Sequence, residues 1–175
     1  EVNSFKQGKL VSPEVIGLKK ITSPEKLLPF CVENFMLVPS GTYRKDLVQK
    51  MGGYRESLWQ SEDFDFHVRL ANQNPRFELI VEPLVSIRLR EESRSQKRNE
   101  ALGDAVKALE LLRAEVPTQY HQTLAQKASK LGSELFELGY RKKAREAFKL
   151  AKDLGHPTFD HKPGFYQKVA NHGGQ

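Results

Sequence analysis

The stretch SEDFDFHVRLA, at residues 61–71, contains the clearest helix start in the sequence. Ser61 is a favoured residue for capping the free amides of a helix. Three carboxylates follow it, on Glu62, Asp63 and Asp65, and acidic groups favour the positive end of the helix dipole. The pattern therefore predicts a helix that begins here and continues to about Asn72.

A mixture of strands and helices is predicted on both sides of this helix. Short apolar runs bounded by proline or glycine favour strands, and apolar residues at three- and four-residue spacing favour helices. The predicted strands are Phe35–Val38, Phe77–Val81 and Leu84–Leu89, and the predicted helices are Thr42–Met51 and Ser61–Asn72. Residues 1–34 have the composition of loops, with a short helix predicted near Pro24–Leu28.

Residues beyond 97 show helical periodicity and no strand pattern. Three helices are predicted there, Ala101–Val116, Gln119–Leu138 and Arg141–Leu154, and a short ordered piece at Phe165–Ala170 precedes a frayed terminus. The sequence thus predicts a mixed α/β part over residues 1–97 and an all-α helical extension over residues 98–175.

Composition limits the classes of partner. The chain has 175 residues, 38% of them hydrophobic, and a formal charge of +6, but its basic residues are scattered among acidic ones in no long tract, which argues against a nucleic-acid partner. The longest apolar runs are far too short to span a bilayer, and the lone cysteine favours a reducing compartment. A cytoplasmic location, or one peripheral at the membrane, is expected.

The order of features over residues 34–95 resembles the C-terminal half of the family 2 glycosyltransferases. A helix ends in MGGYRESL (residues 51–58), the acidic helix start of residues 61–71 follows, and EPLV (residues 82–85) lies between two predicted strands. The resemblance implies the acceptor-side part of a GT-A fold. It also implies a longer enzyme whose N-terminal half binds the nucleotide-sugar donor and a divalent metal, Mg²⁺ or Mn²⁺, with no metal bound by this chain and no activity in this part alone.

The resemblance also implies roles for the acidic pair. Asp63 matches the family's catalytic base, which takes the proton from an acceptor hydroxyl of a sugar or glycan, and Glu62 matches its acidic neighbour. A carboxylate is suited to this role because an alcohol attacks poorly unless something accepts its proton in the transition state. The alternative is that Glu62, Asp63 and Asp65 only favour the helix dipole.

Four other residues are candidates for contacts with the substrates. The family often has a histidine near the donor diphosphate where this sequence has Arg90, and Arg88 lies two residues earlier. Guanidinium groups bind phosphate oxygens well, so both arginines are candidates for contact with the diphosphate. The equal alternative is that they form an exposed basic strand edge. Trp59 and His67 are the candidates for acceptor contact. Packing in the core is the alternative for both.

The last two predicted helices resemble a single tetratricopeptide repeat. Small and large residues alternate as in that repeat, at Ala128, Leu131, Gly132, Leu135, Gly139, Ala144, Phe148, Ala151 and Pro157. One such repeat cannot bury both of its faces, so the free face could bind a protein partner or a second copy of the chain; the alternative is that the pair is a purely structural cap. The alternative function for the whole chain is accordingly a helical protein-interaction module without a catalytic role.

Overall fold

The computed structural model describes residues 2–6, 9–14, 21–80, 84–88 and 98–155. It contains three strands and six α-helices in these ranges: β1 (Val2–Lys6), β2 (Lys9–Glu14), α1 (Leu27–Glu33), α2 (Lys45–Lys50), α3 (Glu62–Asn72), β3 (Val85–Arg88), α4 (Arg98–Leu112), α5 (His121–Glu137) and α6 (Arg141–Asp153). Short 3-10 turns precede α1 and α5 at Pro24–Lys26 and Thr118–Tyr120.

The three strands form one small sheet in the order β2-β1-β3. β1 and β2 are antiparallel neighbours, with Val2 opposite Glu14, and β1 and β3 are parallel, with Val2 opposite Val85. A register shift between Ser4 and Phe5 interrupts the antiparallel pair. The sheet therefore joins the start of the chain to the segment that follows α3.

The described core is built from helices and the loops between them. The buried cluster extends from Ile21 to Ala151 and includes the centre of α3, where Val68 is fully buried, and of α4, where Leu112 is fully buried. Lys127 on α5 donates from its ammonium group to the carbonyl of Glu33, at 2.8 Å. Side chains from both sides of residue 97 thus share one hydrophobic core.

The prediction of a mixed α/β fold is wrong, because the packed core over residues 21–80 and 98–155 is all-α and these ranges contain no strand. Phe35–Val38 is not a buried strand: Phe35 is 50% exposed, and Val38 begins a 3-10 turn that continues to Ser40. Residues 77–80 of the second predicted strand are irregular. A short apolar run is ambiguous by itself, and here proline follows it too closely for pairing.

The helical predictions agree better with the structure. α3, α5 and α6 lie within a few residues of their predicted bounds, whereas α2 is shorter than Thr42–Met51 and α4 begins and ends earlier than predicted. Leu84–Leu89 corresponds to β3, but β1 and β2 occupy a stretch whose composition predicts mostly loop. The prediction for Phe165–Ala170 lies outside the described residues.

Helices α5 and α6 form a close antiparallel hairpin. Gly132 lies against the ring of Phe148, so closely that a Cβ atom at Gly132 would be 2.7 Å from Phe148 Cε1. Gly139 turns the chain between the helices with a positive φ of 85°, a conformation that glycine adopts without strain. Among the described helices, none is both long and apolar enough to cross a bilayer.

Candidate functional site

The loop that leads into α3 is fixed by a side chain from α4. One carboxylate oxygen of Asp104 accepts hydrogen bonds from the backbone amides of Trp59, at 2.9 Å, and Gln60, at 2.8 Å. Ser61 makes no side-chain capping bond to the helix; it has a left-handed φ of 61°, and its hydroxyl points to the carbonyl of Ala101, 3.4 Å away. The predicted serine cap is therefore wrong, because the αL backbone turns this hydroxyl toward α4.

Asp63 is a half-buried carboxylate at the start of α3. One of its oxygens accepts a hydrogen bond from the backbone amide of Phe64 at 2.8 Å. Burial raises the pKa of Asp63 to about 6; the neighbouring charge of Glu62 acts in the same direction, and the amide of Phe64 opposes both. The group is mainly ionised at neutral pH and takes up a proton readily, as a general base must.

Three aromatic rings pack together at the start of α3, and one of them, Tyr54, lies within range of the charges of the acidic pair. Phe66 is buried one helical turn beyond Asp63, and residues three apart are neighbours on a helix surface. Tyr54 stacks on Phe66 with a ring separation of 4.4 Å and an interplanar angle of 22°, while Tyr43 meets Phe66 edge-on at 5.2 Å. Tyr54 remains 41% exposed, so the site presents an aromatic face next to two carboxylates.

Tyr54 is a site residue that the sequence reasoning missed. Burial raises the pKa of its hydroxyl, and the charges of Asp63 and Glu62 raise it further. A signal was available in the sequence, because the aromatic residue directly after Gly52-Gly53 belongs to the same pattern that identified the acidic pair. Only the stacking on Phe66 shows which face of α3 this ring covers.

His67 is buried beneath the site and not open to an acceptor. Its ring is 2% exposed, and its Nε2 atom lies 2.6 Å from the hydroxyl of Tyr43. Burial lowers the pKa of His67 to about 4, despite the opposing effect of the Asp63 carbonyl, so the ring is neutral. His67 therefore holds Tyr43, which in turn packs against Phe66.

Asp65, two residues after the candidate base, has a structural role. Its carboxylate is fully buried and forms ion pairs with Arg55, at 2.7 Å, and Arg69, at 2.8 Å. Arg69 also donates to the carbonyls of Met51, at 3.0 Å, and Gly53, at 2.7 Å. This network ties the glycine loop, and with it Tyr54, to α3.

The other predicted contact residues lie in different settings. Trp59 is 63% exposed, and Glu62 is half-buried beside Asp63. Arg88 ends β3, but its side chain is outside the described part, as is all of Arg90. Their predicted contact with a donor diphosphate stays a prediction.

In the described ranges, no three His, Cys, Asp or Glu side chains are grouped so that they could hold a metal ion. The acidic residues of α3 do not converge, because Asp65 is engaged by two arginines. No family model, curated protein or solved structure matches this chain in the comparisons.

Proposed function

We propose that this chain is the acceptor-side part of an inverting glycosyltransferase that moves a sugar from a nucleotide-diphosphate donor to the hydroxyl of a sugar or glycan. The observation that carries the proposal is Asp63, a half-buried carboxylate with a pKa of about 6 beside an exposed aromatic ring. Carboxylates with raised pKa values are a feature of acid–base sites, and aromatic faces suit the apolar faces of sugar rings.

In the proposed reaction, Asp63 accepts the proton of the acceptor hydroxyl while the oxygen attacks the anomeric carbon of the donor. The bond from that carbon to the diphosphate breaks on the opposite face, so the configuration inverts. Glu62 contributes negative charge that raises the proton affinity of Asp63. Tyr54 and Trp59 offer aromatic surface for the acceptor, and His67 supports Tyr54 indirectly through Tyr43 and Phe66.

The donor side of the proposal rests on residues outside the described site. Arg88 and Arg90 are proposed to contact the diphosphate. A divalent metal, Mg²⁺ or Mn²⁺, is proposed for the donor-binding half that the family resemblance implies. No step assigned to Asp63 depends on that metal. The proposed location is cytoplasmic.

The test compares Asp63→Asn with Glu62→Gln in the protein that carries this chain together with its upstream region. Transfer and hydrolysis are measured with a panel of uridine-, guanosine- and thymidine-diphosphate sugars, and donor binding is measured separately. Asp63→Asn keeps the oxygen that caps the Phe64 amide but removes the base, so turnover should fall about 100-fold or more with donor binding intact. Glu62→Gln should lower turnover far less.

The exposed carboxylate Asp46 on α2 offers a matched control, because its ion pair with Arg44 lies at the surface. Asp46→Asn should leave turnover unchanged. If Asp63→Asn also leaves turnover unchanged, the assignment of the base is wrong. The alternative function, a helical protein-interaction module with a tetratricopeptide-like α5–α6 pair, would then be favoured, and it has support in the exposed Leu138 and Tyr140 between those helices.

A further inference from the structure

Helix α6 collects five basic side chains on one face. Arg141, Lys142, Arg145, Lys149 and Lys152 are all exposed. At roughly 100° per residue they lie within an arc of about 100° around the helix axis. We call this set the basic stripe. The opposite face packs against α5 through small buried residues such as Ala147 and Ala151.

The basic stripe is not explained by the stability of the helix. Arg141 and Lys142 occupy the first turn, where the helix dipole disfavours positive charge, and this turn contains no acidic residue and no side-chain cap. Ion pairs between described residues involve none of the five stripe residues. Glu146 and Asp153 lie at one border of the stripe, where Lys149 lines a cleft that also contains Glu110 of α4. The other four stripe residues do not line this cleft. The arrangement therefore leaves an excess of positive charge free to meet an external anion.

Two exposed apolar side chains lie at the end of the stripe where α6 begins. Leu138 is 47% exposed and Tyr140 is 39% exposed, on either side of Gly139 in the turn from α5. Polyphosphate ligands such as nucleic acids gain little from an exposed leucine. A bilayer surface uses both features, because anionic headgroups attract the cations while leucine and tyrosine side chains enter the interface.

We propose that the basic stripe, with Leu138 and Tyr140 at its end, docks on an anionic lipid surface. The five stripe residues are separated in the sequence, and they form a single surface only because the helix brings every third or fourth side chain to the same face. The tip of the α5–α6 hairpin enters the headgroup layer, and α6 lies along it. This surface is separate from Asp63, and the proposal does not depend on the catalytic one.

Sedimentation with vesicles tests the proposal. The wild-type chain is mixed with phosphatidylcholine vesicles, or with vesicles in which about one third of the lipid is phosphatidylglycerol, and it should bind only the anionic ones. Arg141→Glu/Lys142→Glu should weaken that binding about 25-fold or more, at roughly fivefold for each cation removed. Because acidic residues suit the first turn of a helix, this variant should be at least as stable as wild type in thermal unfolding.

Lys45→Glu/Lys50→Glu is the matched control, since both residues are exposed on α2 and the change in net charge is the same. It should lose much less binding. Leu138→Ser/Tyr140→Ser should weaken binding about tenfold without changing the charge. Absence of binding to anionic vesicles, equal loss in both charge variants, or full binding by the Leu138/Tyr140 variant would each overturn the proposal. Release of the protein from the vesicles by single-stranded DNA, added at the same concentration of negative charge as the anionic lipid, would also overturn it.

Discussion

At the scale of single residues, the pKa of Asp63 links the candidate base to stability. Its folded pKa is about 6, whereas an aspartate in an unfolded chain has a pKa of about 3.9. The folded state therefore binds the proton more tightly, and stability is lost as the pH rises from about 4 to about 6. Above pH 6 the ionised carboxylate opposes folding.

We expect Asp63→Asn to raise the free energy of unfolding by about 1–2 kcal/mol at pH 7.5, because it removes a partly buried charge whose cost is reduced by solvent screening. The advantage should vanish below pH 4, where the wild-type carboxyl is neutral as well. Urea denaturation of both proteins across pH 3.5–8 measures the difference. A variant that is equally destabilised at both ends of this range would contradict the raised pKa.

The stability of Asp63→Asn has to be compared with that of wild type at each pH, because His67 changes the free energy of unfolding with pH in the opposite direction to Asp63. Its folded pKa is about 4, below the ordinary value of about 6.5, so its contribution to stability increases with pH over that interval. The two effects partly cancel in the wild-type profile. Subtracting the Asp63→Asn profile removes the His67 contribution, which is common to both.

Sequence reasoning identified the acidic pair but could not separate Asp63 from Asp65. The two residues are chemically identical and two positions apart, and both suit a helix start. Their difference comes from Arg55 and Arg69, which neutralise Asp65 and leave Asp63 without an ion pair among the described residues. The loop before α3 was also beyond local reasoning, because Asp104 fixes it from a position more than 40 residues away.

At the scale of elements, helices were easier to predict than strands. The helical spacing of small and large residues in α5 and α6 is a local pattern, and the structure confirms both helices. The pairing of β1 with β3 joins residues more than 80 positions apart, and no local pattern specifies such a partner. Phe35–Val38 failed as a strand for a similar reason, since a four-residue apolar run does not indicate what it packs against.

The α5–α6 contact gives a prediction at this scale. Gly132→Ala should destabilise the protein by about 1–2 kcal/mol, because the added methyl group would lie 2.7 Å from the Phe148 ring and overpacking outweighs the better helix propensity of alanine. Gly103→Ala on α4 is the matched control. Its methyl group meets only the flexible end of Lys143, so stability should rise by about 0.5–1 kcal/mol. Thermal unfolding measures both, and equal effects of the two changes would contradict the close approach of the helices.

At the scale of the whole molecule, one charged network connects α3 with the end of α4. Arg55 pairs both with the buried Asp65 and with Glu115, just beyond α4, and the side-chain amide of Asn72 donates to the carbonyl of Glu115 at 2.9 Å. Together with the continuous hydrophobic core, these contacts cross residue 97, where the sequence suggested a boundary between two parts. They provide a reason for the two parts to unfold together.

Asp65→Asn tests this coupling. Burial raises the pKa of Asp65, so the loss of its charge is favourable by itself; however, the substitution leaves the guanidinium of Arg69, which is 7% exposed, without its counter-ion. The second effect is the larger one, and the expected loss of stability is about 3–5 kcal/mol. The fluorescence of Trp59, the single tryptophan, reports on the loop before α3, while far-ultraviolet circular dichroism is dominated by the long helices α4, α5 and α6. Both signals should move to lower urea concentration by the same amount.

Glu110→Gln, which breaks an exposed pair with Arg113, should change stability by no more than about 0.5 kcal/mol. If the fluorescence transition moves and the dichroism transition does not, residues 98–155 fold independently and the predicted boundary is a thermodynamic one; coincident transitions mean that the acidic site and the helical extension form a single cooperative unit.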